Sequence, residues 1–446
     1  MRFSDKLARL RPMASDGRAA RRPLPDPPER SGFEHASSES ISSDPETSER
    51  LARLRALMGE VAQRDQRRKR PRRRVAAPEP LPVGERVDRG HGTMYLLERY
   101  LDPQHCHGRV PVASALEVPA ELIGSLSLDP ELADVDPSRM LILDTETTGL
   151  AGGTGTVPFL IGLAFFDDGV LKVEQVFLEN LGCEAPLLHH LRERIAAASC
   201  VVSYNGKSFD WPLLRNRYIL NRVRAPELPP HLDLLHCARR VFKERLEAVK
   251  LTAIERDVLG FDREGDVPGA EIPGLYMNYL RGGDARGVVP ILEHNELDVI
   301  ALASLLGELG RHFSEVQHGG DARDHLAYAR LAVRVQDETR ALAFAEAAAA
   351  GAEDDELRVR AGLLSAEVMR RRGDYAGAAT CLQAVLSATG VCALASEVHL
   401  ALAKLYEHRL RDLPLAHRHA LHTLDSEGPQ SHGRRLGRLR RRLLAH

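Results

Sequence analysis

LILDTETTGL, residues 141–150, carries Leu141, Ile142 and Leu143 straight into Asp144, Thr145 and Glu146, then into Thr147, Thr148 and Gly149. A strand this apolar belongs in a core. Ending it on two carboxylates either caps the element against water or brings the acids to something positive. Asp144 and Glu146 are two positions apart, so on a strand both side chains point to the same face. The reading turns on whether more carboxylates reach that face.

Two further acidic motifs follow in the same region. YNGKSFD, residues 204–210, places Asn205 at the end of a strand and Asp210 at the start of a helix. HNELD, residues 294–298, places His294 and Asp298 four apart on one helical face. Four carboxylates cannot share a small volume without a compensating charge, because like charges a few ångströms apart force some to stay protonated. Two divalent cations solve this. Hard oxygen ligands suit magnesium or manganese, and a pair of such ions about 4 Å apart serves in-line displacement at a phosphodiester.

The surrounding pattern is α/β. MLILD, VPFLIGLAFF and VLKVEQVFL read as three strands, with Asp167, Asp168 and Gly169 as a hairpin signal between the last two. APLLHHLRERIAAA reads as a helix and SCVVSYN as a fourth strand, followed by helices starting near Asp210, Leu232 and Lys250 and a last one over 288–309. This is an antiparallel meander leading into alternating helix and strand. Beyond about residue 320 the periodicity is helical and alanine-rich. RRRGDYAGAATCLQAVL resembles the turn and second helix of a tetratricopeptide-type unit, and Asp374 and Ala378 have counterparts at Asp412 and Ala416 and, more weakly, at Asp337 and Ala341. The spacings of 38 and 37 exceed the usual 34 or so, and a non-repeating helical bundle is the alternative.

At 446 residues and 43% hydrophobic content the chain has room for two or three domains. The 6 cysteines are scattered without CxxC pairs, and the N-terminus lacks the apolar core of a signal peptide, so a reduced, cytoplasmic protein is expected. Apolar runs such as FLIGLAFF fall far short of the roughly 20 residues that cross a bilayer, so no membrane span is expected. The net charge of −2 hides basic ends: RRKRPRRR at 67–74, and Arg434, Arg435, Arg438, Arg440, Arg441 and Arg442 in the tail. Such clusters favour polyanions through counterion release, against the alternative of a solvated arm without a partner. Residues 1–90, rich in Pro, Ser, Arg and Glu, are expected to be mostly disordered. Within them, Leu51, Leu54, Leu57, Met58 and Val61 form an apolar stripe, and RLARLR at 50–55 nearly repeats KLARLR at 6–11.

DTETTG, NGKSFD and HNELDV together resemble a DEDD-type 3′→5′ exonuclease of the ribonuclease H-like superfamily, and VPGAEIPGLYMNYL before the last helix makes the domain most similar to the YprB-like group. The resemblance implies a ribonuclease H-like mixed sheet flanked by helices over 138–312. A lead-in at 91–137 precedes it, and an all-α tetratricopeptide-like region over 320–426 and a basic tail at 427–446 follow. It further implies that Asp144 bridges two ions of Mg2+ or Mn2+, that Glu146 and Asp298 complete one coordination sphere, and that Asp210 holds the second ion. His294 would orient or deprotonate the attacking water. Thr147, Thr148 and Gly149 would lie beside the terminal nucleotide, Asn205 would be a positioning residue, and Lys207 would touch phosphate or simply be solvated. The ending departs from the superfamily's usual His-x4-Asp or Tyr-x3-Asp, since here it is His-x3-Asp.

The expected substrate is nucleic acid, DNA or RNA alike, because both present the same phosphate. The competing reading is a non-catalytic nucleic-acid-binding adaptor whose helical region binds a protein partner. A binding-only domain, however, has no use for four acids that repel both one another and phosphate. HCHG at 105–108 has no second ligand pair at zinc spacing, and Asp233 and His236 read as structural polar groups.

Overall fold

The computed structural model describes residues 81, 84–149, 155–282, 284–316, 319–389 and 394–445, all within the compact unit Ala76–His446. The expectations for the arm up to residue 80, namely the apolar stripe, the LARLR repeat and the arginines at 67–74, lie outside the described residues.

Nine strands are present among these residues: β1 Glu85–Asp88, β2 Thr93–Leu101, β3 Cys106–His107, β4 Val110–Pro111, β5 Met140–Thr147, β6 Pro158–Asp167, β7 Val170–Phe177, β8 Cys200–Ser203 and β9 His231–Asp233. Seven of them form one mixed sheet in the order β1-β2-β7-β6-β5-β8-β9, and β3 and β4 form a separate short hairpin. β5, β6 and β7 are the antiparallel meander, and β8 joins β5 in parallel, with β9 parallel to β8. The sheet begins earlier than the motifs do. β2, inside what reads as a lead-in, pairs antiparallel with β7 from Tyr95 to Leu101, and β1, inside what reads as the arm, pairs with β2.

The helices are α1 Ala120–Ser127, α2 Glu184–Ala197, α3 Asp210–Leu220, α4 Leu234–Phe242, α5 Leu251–Ile254, α6 Ile272–Leu280 and α7 Val289–Ser314. Successive residues of β5 enter opposite layers, as strand geometry requires. Met140 and Ile142 join the core formed with α4 and α7, and Leu141 and Leu143 join the core formed with α2 and α3. Asp144 and Glu146 continue the first series, so they face α7. That helix carries His294, Asn295 and Asp298 near its start and is buried almost continuously from Val299 to Gly310. Its C-terminal half anchors what its N-terminal half displays.

Helices α8 Ala322–Arg334, α9 Glu338–Gly351, α10 Asp355–Arg371, α11 Tyr375–Ala388, α12 Ala395–Leu405, α13 Leu413–Ala420 and α14 Leu424–Leu444 complete the chain. The recurring Asp and Ala have a physical role. Asp337, Asp374 and Asp412 cap α9, α11 and α13, accepting from the backbone N–H of Arg340, Gly377 and Leu415 at 2.9, 2.8 and 2.9 Å. Ala341, Ala378 and Ala416, four residues on, are fully buried. The first helices share the α/β core through Tyr328 and Phe344, whose rings meet Phe313 of α7.

The tail is not a free basic segment. In α14, Arg435 bridges Glu407 and Glu427, and Arg438 and Arg442 also reach the buried Glu407. Arg434, Arg440 and Arg441 are exposed. Half of the arginines that read as a polyanion patch therefore hold the last helix in place. No helix among the described residues is long and apolar enough to cross a membrane. Removing one helix cap should be felt locally: Asp374→Ala should lower stability by about 0.5–2 kcal/mol in urea unfolding, and Asp374→Asn by much less. An alanine variant as stable as the parent would contradict the capping role.

Candidate active site

The strand β5 ends in a bulge between Glu146 and Thr147, where its pairing with β6 slips by one residue. Asp144 and Glu146 lie just ahead of it, against α7. From α7, His294 Nε2 comes to 3.8 Å from Glu146 Oε1 and 3.7 Å from Asp298 Oδ2. Ligating atoms of Glu146, His294 and Asp298 all lie within 4.8 Å of one another, close enough to share one cation. The His-x3-Asp spacing thus aims both side chains into one cleft, as adjacent turns of a helix allow.

Asp210 arrives by a different route. It is the first residue of α3 and nearly buried, and Thr145 Oγ1, on the opposite face of β5 from Asp144 and Glu146, donates to its Oδ1. The turn leading to it explains NGKSFD. Asn205 adopts the left-handed conformation at φ +68°, which asparagine tolerates better than most residues. Its N–H donates to Asp233 Oδ1 at 2.8 Å, and the Lys207 N–H donates to Asp233 Oδ2 at 3.2 Å. A Cβ on Gly206 would overlap Ser203 and come within 3.2 Å of Asp210 Oδ2. Asp233 is therefore structural, as its sequence context suggests.

The remaining sequence-derived candidates sit around this centre. Thr147 Oγ1 donates to the Gly149 carbonyl at 2.9 Å, and Thr148 Oγ1 accepts from Val157 N–H at 3.0 Å. Both hydroxyls thus stabilise the turn after β5. The Lys207 ammonium is 40% exposed and 3.9 Å from Asp129 Oδ2.

Several polar residues at the site, one inside HNELD and others outside the motifs, are not marked by the carboxylate pattern. Asn295, fully buried, donates from Nδ2 to Asp144 Oδ2 at 2.8 Å and accepts from Gln175 Nε2 at 3.0 Å. It reaches Asp144 because residue 162, opposite Asp144 in the β5–β6 register, is glycine, where a Cβ would strike the Asn295 amide. That glycine, inside the apolar run FLIGLAFF, is the sequence signal for the approach. Arg263, only 5% exposed, donates to Asp298 Oδ1, to Glu255 Oε2 at 2.8 Å and to Asp266 Oδ2 at 3.2 Å. Glu255 also meets His107 Nε2 at 2.7 Å, which gives the buried histidine of HCHG a structural partner. Asp266 Oδ1 lies 2.7 Å from His294 Nδ1.

Electrostatically the acids are under strain. Burial, then the charges of Asp298, Glu146 and Asp210, hold the Asp144 carboxyl well above the ordinary range. Burial and Asp298 push Glu146 up to about 8, and burial pushes Asp210 up to about 6 against the opposing bond from Thr145. Burial also raises Asp298, although Arg263 pulls it back.

With this geometry in view, the comparisons are specific. Residues 141–309 match the RNase_H superfamily, and the sheet, its flanking helices and the acid-bearing strand make this a ribonuclease H superfamily domain with a nuclease-like fold. The domain is YprB-like: the uncharacterized protein YprB of Bacillus subtilis (strain 168) is 37% identical over 183 residues, a match covering 41% of this chain and 44% of that protein. The chain therefore spans less than half the length of the curated relative it matches.

The raised carboxylates predict a pH effect of definite sign. Below the ordinary carboxylate range these groups are protonated whether the chain is folded or not. As pH climbs towards about 8 the unfolded chain releases its protons first, so the folded, metal-free protein loses stability across that window. A divalent cation replaces the protons. Manganese should therefore raise the apparent melting temperature more at pH 8 than at pH 5, and Asp144→Asn should melt higher than the parent in EDTA at pH 8, by roughly 2–4 °C per kcal/mol of relieved repulsion. Equal manganese shifts at the two pH values would contradict the assignment.

Proposed function

We propose that the domain is a metal-dependent 3′→5′ exonuclease that hydrolyses phosphodiester bonds of nucleic acid. The observation that carries this reading is the grouping of Glu146, His294 and Asp298 beside the end of one strand, with Asp144 and Asp210 near enough for their charges to be felt there. The donor set fits hard divalent cations, since oxygen ligands dominate and the carboxylates resist bearing their charge unaided. Asp144, Glu146 and Asp298, with Asp210, would hold two ions of Mg2+ or Mn2+. When bound, such ions neutralise the charge that builds on the phosphate oxygens in the transition state.

The protein's own groups supply position and a proton acceptor. His294 Nε2, at 3.7–3.8 Å from carboxylate oxygens of Asp298 and Glu146, is too far to bond them directly and so keeps its own bonding capacity for a water bound in the cleft beside them. In this reading the imidazole takes a proton from that water as its oxygen bonds to phosphorus. The bond from phosphorus to the 3′-oxygen of the preceding nucleotide breaks, and that oxygen acquires a proton from solvent. The products are a 5′-nucleotide and a chain one unit shorter with a free 3′-hydroxyl. Thr147, Thr148 and Gly149, in the turn beside Glu146, border the place for the terminal sugar, and Asn205 and Lys207 border Asp210.

End-labelled DNA and RNA oligonucleotides, incubated with manganese, test this directly. Stepwise shortening from the 3′ end is expected, abolished by EDTA and by Asp144→Ala or Asp298→Ala, since losing a ligand of a shared cluster costs orders of magnitude. Cleavage that survives in EDTA, or a near-normal rate in either variant, would overturn the reading. His294→Ala should lose roughly 10²–10⁴-fold in rate while manganese affinity by calorimetry hardly moves. A large loss of affinity would instead make His294 a ligand.

A further inference from the structure

The stretch Phe261–Asp266, immediately before VPGAEIPGLYMNYL, belongs to none of the acidic motifs, yet it delivers two charged side chains onto the start of α7. Asp266 splits its carboxylate: Oδ1 lies 2.7 Å from His294 Nδ1, and Oδ2 accepts from Arg263 Nη1 at 3.2 Å. Arg263 donates to Glu255 at 2.8 Å and, through Nη2, to Asp298. One buried guanidinium therefore fixes the direction of both the acid behind the histidine and the acid in front of it.

Two groups compete for His294 Nδ1. Arg263 Nη1 is 3.3 Å away and can only donate, which would require a bare Nδ1 and place the ring proton on Nε2. Asp266 Oδ1, at 2.7 Å, is a carboxylate oxygen, and as an acceptor it calls for a proton on Nδ1. The shorter contact decides it: at 2.7 Å an unprotonated Nδ1 would set its lone pair against a carboxylate oxygen, whereas Arg263 Nη1, at 3.3 Å, has Asp266 Oδ2 as an acceptor and does not need the ring. With Nδ1 protonated, Nε2 of the neutral ring carries the lone pair, and Nε2 is the atom that faces Glu146 and Asp298.

We infer that Asp266 is a positioning residue that holds His294 as its Nδ1–H tautomer and turns Nε2, as proton acceptor, into the carboxylate cleft. This rests on the reading of His294 as the acceptor for the water's proton. It adds a residue from outside the acidic motifs to the catalytic apparatus, together with the Arg263 bracket that keeps Asp266 aimed. Partners behind metal-bound histidines typically contribute roughly 10–100-fold, and an effect on that order is expected for a partner that orients a proton-accepting imidazole.

The test uses the full chain with ¹⁵N-labelled histidine, the His294 ring signals being assigned by their disappearance in His294→Gln. In the metal-free protein at a pH where the ring is neutral, His294 should show a protonated Nδ1 and a bare Nε2. Asp266→Ala should shift it towards the Nε2–H form that free imidazole favours. In parallel, Asp266→Ala should lower kcat on a labelled oligonucleotide roughly 10–100-fold with KM changed less than about threefold, and Asp266→Glu should recover most of the loss. Should the alanine variant fail to fold, Asp266→Asn preserves the volume and carries the same two readouts. A wild-type His294 protonated on Nε2, or an Asp266 variant that leaves tautomer and kcat unchanged, would overturn the inference. If no oligonucleotide is cleaved by the parent protein, the exonuclease reading fails, while the ring signals still decide whether Asp266 sets the tautomer.

Discussion

Asp144, Glu146, Asp210 and Asp298 repel one another, and each element that carries them has to supply what keeps them together. For Asp144 the restraint is an amide: Asn295 donates to it, made accessible by the missing side chain at Gly162. Asp210 is held by a hydroxyl reaching from the opposite face of the strand, and Asp298 by the Arg263 guanidinium. With these partners in place burial still holds the carboxyls above their ordinary range, and for Asp144, Glu146 and Asp210 neighbouring carboxylates add to it. The partners fix geometry without bringing in enough positive charge to balance the acids, which suits the cation binding proposed for the site.

The cost of holding such a cluster is met by packing elsewhere. The helix α7 is ~39 Å long at 1.5 Å per residue, and its buried C-terminal half lies among α4, the 112–117 turn and the first of the C-terminal helices. The helical region is thus more than an appendage, because Tyr328, Phe344 and Val368 share the core that steadies α7. At the other end of the chain, Arg435, Arg438 and Arg442 converge on the buried Glu407 and close the last helix pair.

How much of this is legible in the sequence depends on the range of the interaction. Asp144 and Glu146 on one strand face, and His294 and Asp298 on one helical face, are set by local periodicity and read directly. The β5–β6–β7 meander reads equally well, because its strands alternate around a clear turn. β2 does not, since TMYLLERYL mixes charged and apolar residues and becomes a strand through its pairing with β7; β9, with three residues, is too short for any periodicity. Arg263 and Asp266 are invisible for a related reason. A loop residue's destination follows from tertiary placement, and nothing in FDREGDV announces that it folds onto a helix some thirty residues later. The arginine tail shows the converse error, in which charge counted along the chain is taken as free when half of it is neutralised across the fold.

In the proposed function, mutually repelling acids are assembled for two divalent cations. Anomalous diffraction from a crystal grown or soaked with manganese tests it most directly. Two manganese peaks bounded by Asp144, Glu146, Asp210 and Asp298 are expected, with Asn295 still on Asp144 and Asp266 still behind His294. A manganese-containing crystal with no peak at these residues, or with the carboxylates paired only to protein groups, would contradict it.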